Sequence, residues 1–168
     1  TSWKNRKAGQ PFYVQATFAD THRNFVRDPE RPIDADQVKV PPYYPDLPLV
    51  RRDWANGLET AQVVDRKVGS MLKQLRDDGL AENTLVIFIG DHGRCHIRGK
   101  QFLYEPGVRI PLIIRWPKHI QPGSVSGELV SSLDICRTIV QLAGAKPSHP
   151  LQGKYLFGKD LPERKYVH

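Results

Sequence analysis

Two short apolar runs with a charged segment between them constrain the fold of this chain more than any other feature. Residues 85–89 read Leu-Val-Ile-Phe-Ile, and residues 111–116 read Pro-Leu-Ile-Ile-Arg-Trp. A short run that is almost entirely apolar is typical of a strand that is covered on both faces. The two runs therefore predict buried strands of a sheet with layers packed against both of its sides.

A helical pattern precedes the first of these strands. From about residue 50 to residue 78, apolar side chains recur at spacings of three and four, which produces one stripe along a helix. Gly79 is well placed to end this helix. The predicted stripe consists of Trp54, Leu58, Ala61, Val64, Val68, Met71 or Leu72, and Leu75.

Two further segments complete the predicted order of elements. Residues 11–18 are rich in β-branched and aromatic side chains, which favours a strand. Residues 133–143 are predicted to form a helix that Ser131 or Ser132 caps and Gly144 closes. The order strand, helix, strand, strand, helix predicts an α/β fold with a mixed, partly parallel sheet and helices on both faces.

Length and composition set limits on the remaining possibilities. The 168 residues suffice for one domain with a sizeable core. No apolar run approaches the roughly 18 residues of a membrane-spanning helix, so we expect no membrane segment in this chain. Residues 32–48 are rich in proline, which predicts an extended surface loop. The two cysteines are too few to define a disulfide framework.

Asp91 and His92 follow the first apolar run directly. Side chains at the end of a strand in an α/β sheet point into the crevice where ligands usually bind. A carboxylate suits calcium, and an imidazole is a better ligand for zinc or manganese. The alternative is an ordinary turn at Asp91 and a hydrogen-bonded loop histidine at His92. We predict that both residues are metal ligands.

The segment after this pair is basic. Lys100 carries an ammonium group that suits a bound oxyanion. Three more basic residues come before it, namely Arg94, His96 and Arg98. These three are predicted to bind an acidic substrate beyond its reacting group, with a solvated basic loop as the alternative. Glu105 and Arg109, which are four residues apart, are predicted to form a structural ion pair.

These motifs resemble the sulfatase family of the alkaline-phosphatase-like superfamily. Its members carry an apolar strand, an Asp-Asn-Gly or Asp-His-Gly motif, a Gly-Lys pair, and a Tyr-Glu-x-Gly-x-Arg-x-Pro segment before another strand. The corresponding segments here are Asp91-His92-Gly93, Gly99-Lys100 and residues 104–111. The loop Asp20-Thr21-His22-Arg23 resembles the family too, and is similar to the branch that hydrolyses N-sulfoglucosamine. The resemblance extends from about residue 10 to residue 160.

The resemblance implies roles for individual residues. Asp91 and His92 would hold a metal ion, with calcium expected before zinc or manganese. Lys100 would hold a sulfate oxygen, and His22 would contact the sulfate and protonate the leaving oxygen. The resemblance also implies a secreted, periplasmic or lysosomal protein.

Two parts of the family pattern are absent from the chain. The family's nucleophile is a formylglycine, made from the cysteine of a Cys-x-Pro-x-Arg or Cys-x-Ala-x-Arg motif. His-Ile-Arg follows Cys95 and Arg-Thr-Ile follows Cys136, so neither fits. The family's paired aspartates after a strand are absent as well. We therefore expect residues 1–168 to be the C-terminal half of a catalytic domain, with a smaller subdomain beginning near 150–168. The formylglycine is expected in an N-terminal half that binds this one, and the chain alone is predicted to be inactive.

The sequence thus predicts a sulfuric ester hydrolase that acts on sulfate esters or N-sulfates, notably those of glycans. A phosphatase or phosphonate monoester hydrolase of the same superfamily is an alternative, as is a non-catalytic domain that binds polyanions. The net charge of +7 favours an acidic partner, although half of a domain need not be balanced in charge. No motif that reads nucleic acid is visible, so no nucleic-acid partner is expected.

Overall fold

The computed structural model describes residues 3–158 and 164–166. Its helices and strands are α1 Pro48–Asp77, β1 Val86–Ile89, α2 Glu105–Val108, β2 Leu112–Arg115 and α3 Ser132–Leu142. Short 3-10 turns cover Ala35–Gln37 and Ala81–Asn83. The chain divides into two units, Thr1–Gln121 and Pro122–His168, and α3 belongs to the second.

Helix α1 confirms the helix that was predicted over residues 50–78. Pro48 stands in its first turn, where the missing N–H is harmless and the fixed φ suits a helix. Beyond its last residue, Gly79 has a φ of +69°, a left-handed conformation that glycine adopts without strain. The N–H groups of Gly79 and Leu80 donate to the carbonyls of Arg76 and Leu75 at 2.9 and 3.0 Å. These paired bonds form the Schellman motif that ends the helix.

The buried face of α1 is more polar than the predicted stripe. Trp54, Val64 and Leu75 are buried as expected, but Ala61 is exposed and Glu59 is completely buried. Glu59 lies inside because loop residues 26–33 pack against α1 and supply hydrogen-bond donors to its carboxylate. Two clusters form the core around this helix: Ala35, Val38, Trp54 and Ala55 near its start, and Trp3, Leu75 and Ala81 near its end.

Strands β1 and β2 lie where the two apolar runs predicted strands. They pair antiparallel, with Val86 opposite Arg115 and Ile89 opposite Leu112. The prediction of a partly parallel sheet is not met among the described residues, whose sheet consists of this one pair. Neither strand is fully covered, since β1 is half-buried along its length and β2 alternates between half-buried and exposed residues.

Residues 11–18 do not form the strand that was predicted for them. Their side chains still alternate, because Phe12 and Val14 pack against the cluster of Trp3, Leu75 and Ala81 while Tyr13 and Gln15 are exposed. A strand requires a ladder of hydrogen bonds to a neighbouring strand. In the described part of the chain no neighbour pairs with this segment, so the alternation alone does not make a strand.

The second unit is organised around α3, which confirms the helix predicted over residues 133–143. Ser131 is its cap, and the Asp134 carboxylate accepts a hydrogen bond from the Ser131 N–H at 2.7 Å, which completes a capping box. Burial opposes ionisation of Asp134, but Arg164 and the Lys154 N–H bond to its carboxylate and bring its pKa to about 2. Gly144, with a φ of +64°, closes the helix as predicted.

Part of the segment predicted to begin a smaller subdomain near residue 150 lies outside the described residues, at 159–163 and 167–168. Among the residues that are described, none of the helices combines the length and the apolar composition that crossing a bilayer requires.

Candidate active site

The loop between β1 and β2 carries most of the predicted site residues, and backbone contacts hold it closed. The Gly90 N–H donates to the Pro111 carbonyl at 3.1 Å, and the Gly93 N–H donates to the Gly107 carbonyl at 3.0 Å. A β-carbon on Gly93 would lie 1.8 Å from the Pro106 carbonyl oxygen, so a larger residue does not fit there. The glycine of the Asp-His-Gly motif is therefore required by the close approach of two stretches of backbone.

The Gly99-Lys100 pair is fixed within the same loop. The Lys100 N–H donates to the Arg94 carbonyl at 2.8 Å, and the Gly99 N–H donates to the His96 carbonyl at 2.9 Å. A β-carbon on Gly99 would lie 2.1 Å from the Arg94 carbonyl oxygen. Packing thus requires glycine at position 99. The backbone of Lys100 is hydrogen-bonded to Arg94, which is two positions after His92 in the chain.

A carboxylate oxygen of Asp91 and a ring nitrogen of His92 lie close to each other. The Oδ2 atom of Asp91 lies 3.5 Å from Nε2 of His92, and the Asp91 side chain is 88% exposed. The Nδ1 atom of His92 lies 2.8 Å from the Gly93 carbonyl oxygen, so Nδ1 carries the proton and donates it there. Nε2 is then left with a lone pair beside the carboxylate. Histidines that bind metals commonly donate their second N–H to a backbone carbonyl in this way.

This pair fits one side of a metal site. A carboxylate oxygen and an imidazole nitrogen at this separation can bind the same cation as neighbouring ligands. Among the described residues, no cluster of three or more histidine, cysteine, aspartate or glutamate side chains is arranged to hold a metal. Further ligands would therefore have to be other groups, water or residues beyond the described part.

The structure brings His22 and Lys100 together, although 78 positions separate them in the chain. Nζ of Lys100 lies 2.9 Å from Nε2 of His22, while Nδ1 of His22 lies 2.7 Å from the Arg23 carbonyl oxygen. Nδ1 must carry the proton, because two acceptors would repel each other at that distance. The lone pair on Nε2 therefore accepts an N–H from the lysine ammonium group. Both side chains can reach a single anionic group.

Arg94 and Arg98 lie on the surface of the loop and contact aromatic rings. The guanidinium of Arg94 lies 5.3 Å from the centre of the Trp54 ring. The guanidinium of Arg98 lies 5.0 Å from the ring centre of Tyr43 and 5.2 Å from that of Tyr104. Stacking on rings orients a guanidinium while leaving its N–H groups available to a ligand.

His96 occupies a different environment from these two arginines. Its residue is only 8% exposed, and its ring stacks between Trp54 at 4.3 Å and Phe25 at 5.4 Å between centroids. Burial lowers the pKa of His96, against the opposite effect of the Asp53 carboxylate 3.4 Å away. The ring therefore packs as a neutral aromatic group in the interior, and the structure does not bring it to the surface that Arg94 and Arg98 share. The neighbouring Ile97 is 70% exposed instead.

An ion pair that the sequence analysis did not identify lies beside His22. Arg23 donates from Nη1 and Nη2 to the two carboxylate oxygens of Asp53 at 2.7 and 2.6 Å. These hydrogen bonds lower the pKa of Asp53, although burial opposes the effect. Arg23 was visible as part of the His22 motif, but no spacing rule links it to a residue of α1.

The predicted ion pair between Glu105 and Arg109 is wrong. These two residues belong to the turn of α2, where the Arg109 N–H donates to the Glu105 backbone carbonyl at 2.9 Å. The described structure contains no ion pair between their side chains, and the contact between the two residues is this backbone hydrogen bond.

The chain is similar in sequence to known proteins of one family. Residues 1–145 match the family model described as Sulfatase. The chain is 30% identical to an ulvan-active sulfatase of Formosa agariphila, over 99% of this chain and 34% of that protein. It is 31% identical to human N-sulphoglucosamine sulphohydrolase, over 90% of this chain and 36% of that protein. It is 43% identical to human arylsulfatase A, over 58% of this chain and 21% of that protein.

The loop after β1 presents an acid, an imidazole and an ammonium group. The chain belongs to the sulfatase family, whose membership implies the alkaline-phosphatase-like α/β fold. It spans about a third of the length of the first two of these relatives.

Proposed function

We propose that the protein containing this chain is a metal-assisted sulfuric ester hydrolase in which Lys100 and His22 bind the sulfate group. The observation that carries the proposal is the 2.9 Å contact between Nζ of Lys100 and Nε2 of His22. Lys100 lies on the same loop as Asp91 and His92. Membership of the sulfatase family supports sulfate ester hydrolysis as the reaction.

The lysine and the histidine suit the chemistry of a sulfate ester. The ammonium group of Lys100 can donate to a sulfate oxygen as negative charge develops, which favours the transition state over the ground state. His22 lies within reach of the same anion, and once Nε2 has also taken up a proton the ring can deliver that proton to the leaving oxygen. The Arg23 carbonyl, which accepts from Nδ1, keeps Nε2 directed at Lys100.

Asp91 and His92 are the proposed metal ligands from this chain. The carboxylate favours calcium, as expected from the resemblance, while the imidazole is also compatible with zinc or manganese. When bound, the metal would neutralise charge on the sulfate oxygens. The proposed nucleophile is a formylglycine outside this chain, because neither Cys95 nor Cys136 has the family's motif. We further propose that an N-terminal half of the catalytic domain completes the mixed, partly parallel sheet.

Arg94 and Arg98 support a glycan as the substrate class. Both guanidinium groups are held at the surface of the loop by aromatic rings. They suit a second sulfate or a carboxylate next to the reacting ester. His96 was assigned the same role, and its buried position favours a supporting contribution through the packing of the loop.

The test is hydrolysis by the full-length protein of para-nitrophenyl sulfate beside para-nitrophenyl phosphate. We expect turnover of the sulfate, with a fall of about 100-fold or more in Lys100→Ala. Lys73→Ala is the matched control, because Lys73 pairs with Asp77 on the exposed face of α1. A near-wild-type rate in Lys100→Ala would remove this lysine from the site.

The same assay separates the alternative functions. Preference for the phosphate ester would assign the protein to the phosphatase class. No hydrolysis of either ester, together with salt-sensitive binding to heparin that survives Asp91→Asn, would instead indicate a polyanion-binding domain.

A further inference from the structure

We propose that Arg23 and Asp53 are positioning residues that set the contact between His22 and Lys100. We refer to Arg23, Asp53 and the Cys95 carbonyl together as the Arg23 clamp. The inference rests on the proposed function, since it assigns a role within the same site. It goes beyond that proposal because neither side chain needs to touch the substrate.

Arg23 is connected to two separate parts of the structure. Its Nη1 and Nη2 atoms bind both oxygens of Asp53 on α1, and its Nε donates to the Cys95 carbonyl at 2.8 Å. A planar guanidinium with three N–H groups bound in this way has little freedom to rotate. The Arg23 side chain therefore ties the loop after β1 to helix α1.

The loop segment that Arg23 binds is itself anchored in the interior. His96, which follows Cys95, is inserted between Trp54 and Phe25. Gly57 of α1 leaves the room for its ring, because a β-carbon there would lie 3.0 Å from Cε1 of His96. The Cys95 carbonyl is thus presented to Arg23 from a segment whose neighbouring side chain is packed in the interior.

A closed ring of contacts surrounds the candidate catalytic pair. The Arg23 backbone carbonyl accepts from Nδ1 of His22, which orients the imidazole. On the other side, the Lys100 N–H donates to the carbonyl of Arg94, the residue before Cys95. Contacts therefore link His22 through Arg23 and Cys95 to Lys100 without a break. The contact between Nε2 of His22 and Nζ of Lys100 completes the ring. Loosening Arg23 should therefore move the imidazole relative to the ammonium group.

The experiment uses Arg23→Lys and Asp53→Asn in the full-length protein. Lysine keeps the positive charge but lacks the bidentate geometry, and asparagine keeps the shape of aspartate without its charge. Because a small misplacement of catalytic groups is costly, we expect kcat to fall about 10-fold or more in each variant while KM stays within about 2-fold. The double variant should be no slower than the slower single variant, since the two residues act as one unit.

Arg51→Lys is the matched control. Arg51 also makes a bidentate pair with an aspartate, Asp46, and also donates to a backbone carbonyl, that of Asp36 at 2.8 Å. It resembles Arg23 in these contacts but does not touch His22 or Lys100. We expect its kcat and KM to be unchanged, which separates positioning from a general effect of losing an arginine.

A second readout is independent of turnover. In histidine-labelled protein, the nitrogen NMR signals of His22, assigned by their loss in His22→Gln, should report a proton on Nδ1 in the wild type. Arg23→Lys and Asp53→Asn should shift these signals toward the other tautomer, and Arg51→Lys should not. If Arg23→Lys does not fold, Asp53→Asn carries the same expectation.

Changes in both kcat and the His22 signals support the clamp, and an unchanged value of either one in folded Asp53→Asn overturns it. If the wild-type protein hydrolyses no sulfate ester, the proposed function fails by itself. The NMR comparison alone then decides whether the clamp orients His22.

Discussion

Charged side chains are concentrated in two regions. One is the junction between α1 and residues 26–33, and the other is the loop after β1. The Glu59 and Asp28 carboxylates at the junction are buried and fully hydrogen-bonded, whereas the Asp91 carboxylate of the loop is exposed. At the junction, Glu59 is completely buried and accepts from Arg27 at 2.5 and 3.1 Å and from the N–H groups of Asp28 and Ile33 at 3.1 and 3.0 Å. In the loop, Asp91 is almost fully exposed, and its described contacts are with the neighbouring His92.

The difference separates carboxylates that stabilise the fold from a carboxylate that is available to a ligand. The hydrogen bonds from Arg27 lower the pKa of Glu59 from 4.5 to about 2, despite the opposing effect of burial. Asp28 is likewise buried, and Arg66 binds both of its oxygens at 2.8 Å. A buried carboxylate with a full set of partners cannot bind anything else. The exposed carboxylate beside an imidazole lone pair has that capacity.

The largest effect that would sharpen this comparison is expected at Asp91. Asp91→Ala should abolish metal retention in the full-length protein, because it removes the carboxylate from the proposed ligand pair. Metal content by mass analysis is the measurement. Asp20→Ala is the control, since the Asp20 carboxylate is engaged by Lys67 at 2.5 Å. Full occupancy in Asp91→Ala would contradict the ligand assignment.

At the junction between α1 and residues 26–33, Glu59→Ala should destabilise the fold. Removing this carboxylate leaves the half-exposed Arg27 and the N–H groups of Asp28 and Ile33 without their partner, and we expect a loss of roughly 2 kcal/mol in the free energy of unfolding. Chemical denaturation measures this loss. Metal content should stay at the wild-type level in the folded protein. A loss of metal would show that the junction also contributes to metal binding.

Acid should weaken the junction in a way that depends on Glu59. The folded-state pKa lies below the unfolded value, so the contribution of Glu59 is fully present above about pH 5 and is lost as the pH falls toward 2. Glu59→Gln should therefore show a smaller drop in unfolding free energy over this range than the wild type. Glu128→Gln, at an exposed position, should follow the wild-type curve. Parallel curves for wild type and Glu59→Gln would rule out Glu59 as a source of the acid sensitivity.

The smallest effect is expected where a charged pair is neither buried nor part of the site. Lys73 and Asp77 form an exposed pair one turn apart on α1, at 2.6 Å. Lys73→Ala should change the free energy of unfolding by less than about 0.5 kcal/mol, since such pairs contribute little. A larger loss by chemical denaturation would show that burial does not decide which charges stabilise this fold.

Local patterns predicted the regular elements well. The periodicity of α1, the two short apolar runs and the caps at Ser131, Gly79 and Gly144 are each determined by residues close in the chain, and the structure confirms them. The segment 11–18 failed as a strand because a ladder depends on a neighbour that its own sequence does not specify.

The candidate site was predictable in its composition and less so in its arrangement. A strand followed by Asp-His-Gly made Asp91 and His92 candidate ligands, and their role stays a prediction. No local pattern could tell that His96 turns inward while Ile97 is exposed. That choice depends on Trp54 and on the space at Gly57, which are distant in the chain. The burial of Glu59 was not predicted for the same reason, because its hydrogen-bond partners lie in a loop that is distant in the chain.

The backbone of the loop after β1 has a consequence for how this surface can evolve. The glycines at 93, 99 and 107 each meet backbone at distances that exclude a β-carbon, so the loop packs against itself at three points. Insertions or deletions between these points would pull the contacts out of register. Divergence among proteins that share this loop should therefore proceed by exchange of the outward side chains at positions 94, 97 and 98, at constant loop length.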